Sequence, residues 1–178
     1  MKHKQPEAKV LGKTISYPKT YDPNVLVAVP RIENRRSIGL DNDQNIFSGF
    51  DVWHAYEVSF LLENGAPISG VLKMVYPSSS ENIVESKSLK LYLNSFNMHC
   101  ISGDIENAIK DFTKIVADDL TKIIKAKPNL GFYTQDIDAE SDFNNYTNLE
   151  SACKLHELVI REYTESPELL KTNKNQPK

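Results

Sequence analysis

Two neighbouring stretches alternate apolar and polar residues at period two. Val52, Tyr56, Val58, Phe60 and Leu62 share one face of the first, and Leu72, Met74 and Tyr76 share one face of the second. Asn64-Gly65 lies between them, a dipeptide that reverses a chain tightly because it tolerates positive φ. The pattern predicts an antiparallel hairpin over Val52 to Leu62 and Val71 to Tyr76, closed by Pro77 and the serines at 78 to 80. The period then changes. Ile105, Ile109, Phe112, Val116, Leu120, Ile123 and Ile124 recur every three or four residues, which predicts a helix over Asp104 to Lys125. Asp104 is its expected N-cap, Lys122 and Lys125 suit its negative end, and Pro128 closes it. Leu130 to Ile137 reads as a third strand.

The remainder is less regular. Pro18, Pro23 and Pro30 interrupt Tyr17 to Leu40 around a short β-prone run, Val25 to Val29, so this part reads as an arm rather than a regular element. Asn34-Arg35-Arg36 after it is locally basic. Asp138 to Asn148 has loop composition, and Leu149 to Arg161 fits helix or strand. Residues 1 to 10 and the polar tail after Thr172 are expected to be disordered. A hairpin, a long helix and further strands give the α+β class.

Composition narrows the function. At 178 residues, with 40% hydrophobic and 25% charged, the chain suits one globular domain with a tail. A net charge of −3 argues against direct nucleic-acid binding by bulk electrostatics, though not against a local phosphate site. No apolar run approaches the roughly 20 residues of a membrane helix, and the polar N-terminus has no signal-peptide core. The expectation is a cytoplasmic protein with Cys100 and Cys153 reduced.

Chemistry concentrates in Val84 to Phe96. One carboxylate, several small hydroxyl and amide groups and two lysines sit among Val84, Leu89, Leu91, Leu93 and Phe96. That mixture suits a pocket wall facing a flat, polar, partly anionic ligand. Glu85 can accept two parallel N–H bonds from a guanine-like edge, or be an ordinary exposed charge. Ser86 and Lys87 can hold phosphate, or Lys87 and Lys90 can form a solvated face. Trp53, two turns of the pleat from Glu57 on one strand face, can stack on a planar base or pack in the core. No glycine-rich dinucleotide fingerprint or P-loop is present. His99-Cys100 with Cys153 and His156 is a poor zinc spacing, so no metal is expected. Cys100 has no evident activating base and reads as packing.

Val84-Glu85-Ser86-Lys87-Ser88-Leu89-Lys90-Leu91-Tyr92 resembles the signature of the NADPH-dependent nitrile reductases of queuosine biosynthesis, the QueF family. These enzymes reduce 7-cyano-7-deazaguanine (preQ0) to 7-aminomethyl-7-deazaguanine on the way to a modified tRNA base. Leu93 to Asn97, Val29-Pro30-Arg31 with Asn34-Arg35, Ile38-Gly39-Leu40, Gly49 to Glu57 and Asn64-Gly65-x-Pro67 are similar to the family's long, two-module form. The resemblance implies the tunnelling fold (T-fold), an antiparallel sheet with helices packed on one face. It implies an N-terminal module over 11–137, followed by a poorly matching segment, 138–165, and the start of a second module, 166–178. It assigns Val84, Glu85 and Ser86 to the substrate, and Ser86 and Lys87 to NADPH.

The long form places a nucleophilic cysteine after a Leu-Leu-Lys-Ser-Asn stretch and an aspartate beyond it. Here Leu169 to Asn173 is similar to that stretch, and Lys174 stands at the cysteine's position. The resemblance therefore implies an orienting half with no catalytic residue of its own. It would be inactive alone and would work as a homo-oligomer or with a separate C-terminal half. The alternatives are a non-catalytic deazapurine-binding module, an inactive remnant of a split gene, or a T-fold enzyme for a pterin-like substrate.

Overall fold

The computed structural model describes residues 18–40, 47–134, 147, 149–153 and 157–169. The chain divides into two compact units, Met1–Ile137 and Asp138–Lys178. The class is mixed α+β. In the first unit the elements are β1 (Ala28–Pro30), α1 (Arg31–Ser37), β2 (Phe50–Leu62), β3 (Pro67–Pro77), β4 (Asn82–Val84), α2 (Ser86–Asn94), β5 (Cys100–Ile101), α3 (Ile105–Ile124) and β6 (Asn129–Tyr133). The second unit contains α4 (Leu149–Ala152) and a 3₁₀ turn, Pro167–Leu169. The expected disorder of residues 1 to 10 and of the tail after Thr172 falls outside the described residues, as do His156 and Lys174.

The hairpin forms where alternation and turn chemistry agree. Gly65 takes φ +80°, its N–H donates to Leu62 O at 2.8 Å, and the Asn64 side chain accepts from Ala66 N–H at 3.0 Å. The β2–β3 pair is the centre of a four-stranded sheet ordered β5-β2-β3-β6, in which β5 runs parallel to β2 and β6 antiparallel to β3. Gly70 lets β6 approach, since a Cβ there would sit 2.3 Å from Tyr133 O.

Alternation fails at one point. Ala55 pairs with Leu72 but Val58 pairs with Gly70, so β2 spends one more residue than β3 between these pairs. Glu57 carries the extra step at φ +59°. Trp53 and Ala55 therefore pack inward before the bulge, and Val58 and Phe60 after it. Tyr56 is 71% exposed and does not share a face with Val58 and Phe60, contrary to the period-two expectation. For the same reason Trp53 and Glu57 do not share a regular strand face.

One face of the sheet is covered by α3, which contributes Ala108, Phe112, Val116, Leu120 and Ile124 to the core. Phe112 stacks on Phe60 at 5.0 Å and meets Phe96 edge-on at 5.0 Å. Asp104 caps the helix by accepting from Asn107 N–H at 2.9 Å, and Lys125 ends it at φ +58°. Ile105, expected on the buried stripe, is 53% exposed in the first turn. Among the described residues no helix is long and apolar enough to cross a membrane.

The proline-punctuated arm contains regular structure that local reading misses. β1 pairs antiparallel with β4, Ala28 opposite Val84, a contact between segments far apart in sequence. Pro30 ends β1 and is the N-cap of α1, with φ −58° and an extended ψ of 127°.

Candidate functional site

The Val84 to Phe96 stretch is a strand end followed by a two-faced helix. Val84 is buried in the β1–β4 ladder. Glu85 is the N-cap of α2 and is only 9% exposed. Its Oε2 accepts from Ser88 N–H at 2.6 Å, and its own N–H donates to Val27 O at 2.9 Å. A carboxylate offers about four lone-pair sites, so the cap leaves acceptor capacity on Glu85. Among the described residues its other oxygen takes no hydrogen bond.

Leu89, Leu91, Tyr92 and Leu93 bury the inner face of α2, while Ser86 and Lys90 face outward. Two hydroxyls that looked available to a ligand are fastenings for the arm. Ser88 Oγ accepts from Val27 N–H at 3.1 Å, and Ser95 Oγ accepts from Asp22 N–H at 3.2 Å. Both serines are buried and donate back to main-chain carbonyls, Ser88 to Glu85 O at 2.8 Å and Ser95 to Tyr92 O at 2.6 Å.

A concave volume of ≈ 490 Å³ opens between α2 and the bulged part of β2. Ser86, Lys90, Asn94 and Asn97 line it from the helix side; Trp53, His54, Tyr56 and Glu57 line it from the strand. Trp53 both packs against the core and lines this cavity, so the two sequence readings of it describe two faces of one ring. Of the residues that the resemblance assigns to substrate or NADPH, Ser86 alone lines the cavity itself. Val84, Glu85 and Lys87 flank it in sequence, with Lys87 half-buried in the first turn of α2.

Sequence reading missed a second buried carboxylate. Asp119, 5% exposed on the inner side of α3, accepts from Tyr21 Oη, from Tyr92 Oη at 2.9 Å and from Lys122 Nζ at 3.0 Å. Burial, followed by the negative Asp119, raises the pKa of both phenols well above the ordinary tyrosine range. The signal was present: Asp119 follows Val116 by three residues, on the apolar stripe. Neither cysteine is part of this arrangement. Cys100 is exposed on β5 rather than buried as packing, and Cys153 is half-exposed in the second unit. Among the described residues no group of three or more His, Cys, Asp or Glu could hold a metal ion.

Comparison with known proteins agrees with the signature around Glu85. Residues 17–131 match the family described as nitrile reductase, 7-cyano-7-deazaguanine-reductase N-term. A protein of Rickettsia prowazekii (strain Madrid E) named NADPH-dependent 7-cyano-7-deazaguanine reductase is 43% identical over 118 residues, 66% of this chain and 41% of that protein. A protein of the same name from Rickettsia bellii (strain OSU 85-389) is 36% identical over 179 residues, covering 92% of this chain and 63% of the relative. The chain thus spans about two-fifths to just under two-thirds of the relatives' length. The match over 17–131 and the order of its motifs make the chain a member of the 7-cyano-7-deazaguanine nitrile reductase family, related to it through the N-terminal domain.

Proposed function

We propose that this chain is the substrate- and cofactor-orienting N-terminal module of a bimodular nitrile reductase. Its proposed ligands are 7-cyano-7-deazaguanine and NADPH, and its proposed architecture is the T-fold. The four-stranded sheet with α3 on one face supports that architecture. The observation that carries the functional reading is Glu85, a nearly buried carboxylate with spare acceptor capacity, next in sequence to Ser86, which lines a cavity with Trp53. A deazaguanine edge presents a ring N–H and an exocyclic amine side by side, the donor pair a carboxylate accepts. Val84, held in its ladder, fixes the backbone from which Glu85 projects.

The fit to NADPH rests on the first turn of α2. Ser86 offers a hydroxyl and Lys87 a cation for an anionic group, while the Ser88 N–H is held by Glu85. When bound, NADPH would supply hydride; the residues of this chain would hold and orient it. Reduction in this family proceeds by thiolate addition to the nitrile carbon, then two hydride transfers, with an acid delivering the proton to nitrogen. Lys174 stands where the family cysteine is expected, which supports a nucleophile supplied by the other module. Among the described residues the outer edges of β5 and β6 pair with no strand, which supports assembly with a second copy or with a C-terminal half.

The 178-residue chain alone is expected to bind 7-cyano-7-deazaguanine in calorimetry and to leave NADPH unoxidised in its presence. Absence of base binding would sink the module reading in favour of a remnant. NADPH oxidation abolished by Cys100→Ala or Cys153→Ala would reveal a nucleophile within this chain. A specific observation keeps one second reading in play: with no cysteine at position 174, the chain can equally be a non-catalytic deazapurine-binding module, which base binding without any complementing activity would support.

A further inference from the structure

A second concave volume, ≈ 370 Å³, lies at the root of the hairpin between α1 and the start of β2. Arg31 and Arg35 enter it from α1, one turn apart, and Phe47 and Phe50 form an apolar rim. The two arginines differ in how much of their donor capacity is committed. Arg31 pairs with Asp51, and its Nε and Nη2 also reach Ser80 O at 3.0 Å and Ser80 Oγ at 3.0–3.1 Å. It is neutralised and fixed. Arg35 makes one long bond, to Ser78 O at 3.3 Å, and its guanidinium lies 5.3 Å from the Phe47 ring centroid. Among the described residues no carboxylate pairs with it. Among the described residues Asp51 is the one acidic group lining the cavity, and it pairs with Arg31. Among the described residues the cavity therefore holds one half-buried, forked cation with no carboxylate partner, beside the partly exposed rings of Phe47 and Phe50.

That combination suits a phosphate attached to a planar ring, because guanidinium binds phosphate in a forked geometry and phenyl rings stack on a base. The volume falls within the range of ligand sites. Ile83, on this cavity's wall, and Ser86, on the wall of the larger one, are three residues apart, at most about 10 Å along the chain, which is within the length of a dinucleotide. We propose that this cavity takes the phosphorylated adenosine end of NADPH, with Arg35 on the 2′-phosphate and the adenine against Phe47 and Phe50. The proposal rests on the reading that this chain takes up NADPH, and it names the residue that selects NADPH over NADH.

The test is calorimetry on the full chain with NADPH, NADH and 2′,5′-ADP, a fragment that carries the adenosine end alone. Wild type should bind NADPH more tightly than NADH, with 2′,5′-ADP competing. Arg35→Ala should weaken 2′,5′-ADP and NADPH by about tenfold or more, the scale of a lost charged hydrogen bond, and leave NADH unchanged. Arg35→Gln, which keeps length and an amide donor for Ser78 O, carries the same expectation should the alanine variant lose its far-ultraviolet circular dichroism. Equal affinity for NADPH and NADH, or Arg35 variants with wild-type affinity for 2′,5′-ADP, would overturn the inference. NADPH binding that 2′,5′-ADP does not compete overturns it too, while leaving cofactor uptake intact. Binding of 2′,5′-ADP without binding of the nitrile base supports the inference and counts against the substrate reading alone.

Discussion

Glu85 and Asp119 are both buried carboxylates, and they have opposite uses. Asp119 accepts from two phenols and an ammonium, all from this chain. Glu85 receives one helix-capping N–H and keeps the rest of its acceptor capacity, one residue before Ser86 on the cavity wall. A buried charge must be compensated, because each uncompensated ion costs several kcal/mol. Asp119 meets that demand internally and serves stability. Glu85 meets it only in part, and a ligand bringing N–H donors would complete the shell. The number of internal partners separates the two roles better than burial does, since both side chains are nearly inaccessible.

The largest expected effect that can break this comparison is on Asp119. Asp119→Ala strands the Tyr21 and Tyr92 hydroxyls and detaches Tyr21 of the arm from α3. The loss is about 3 kcal/mol, read from urea unfolding of the chain. A loss below 1 kcal/mol would remove the structural assignment.

Glu85→Gln should do the reverse. The amide oxygen can still accept from Ser88 N–H, so stability should fall by about 1 kcal/mol or less. Its NH₂ group would oppose the donors of the deazaguanine edge, and base affinity should fall about a hundredfold, measured by calorimetry. Unchanged affinity would sink the assignment of Glu85 to the ligand.

Tyr21→Phe removes one of the three Asp119 partners and should cost about 1 kcal/mol at neutral pH. The smallest effect is on pH dependence. Both phenols have pKa values raised above the ordinary tyrosine value of 10.0, with burial the largest cause and Asp119 adding to it. Above pH 10.0 the unfolded chain releases these protons while the folded chain keeps them, so stability present at lower pH declines. Thermal melts from pH 8 to 11 should show that decline in wild type and a shallower one in Tyr21→Phe. Equal slopes would mean that Tyr21 is not held neutral by the fold.

Much of the architecture was legible because it is locally encoded. Asn64-Gly65, the Leu72-Met74-Tyr76 face and the α3 stripe each sit within one element, and period and turn chemistry report them directly. The signature around Glu85 was legible as a resemblance, but its helical form and its division into an arm-facing and an outward face were not. Ser88 and Ser95 looked like ligand groups because their partners, Val27 and Asp22, are more than 60 residues away. The β1–β4 pairing was hidden for the same reason. Tyr56 was assigned to the wrong face because a bulge leaves no mark in an alternating pattern until its extra residue is known. Trp53 needed no choice between core and cavity, since it packs against the one and lines the other.

That extra residue has a consequence for how the gene can vary. With Glu57 removed, Ala55 opposite Leu72 and Val58 opposite Gly70 would fall on one uninterrupted ladder, and Trp53, Ala55, Val58 and Phe60 would all keep their inward side. Pairing therefore has no use for this codon, and relief of the positive φ favours its loss by roughly 1 kcal/mol. An in-frame deletion of Glu57 should give a chain that folds at least as well and has lost one corner of the larger cavity. It separates, in a single allele, what the strand needs from what the cavity needs.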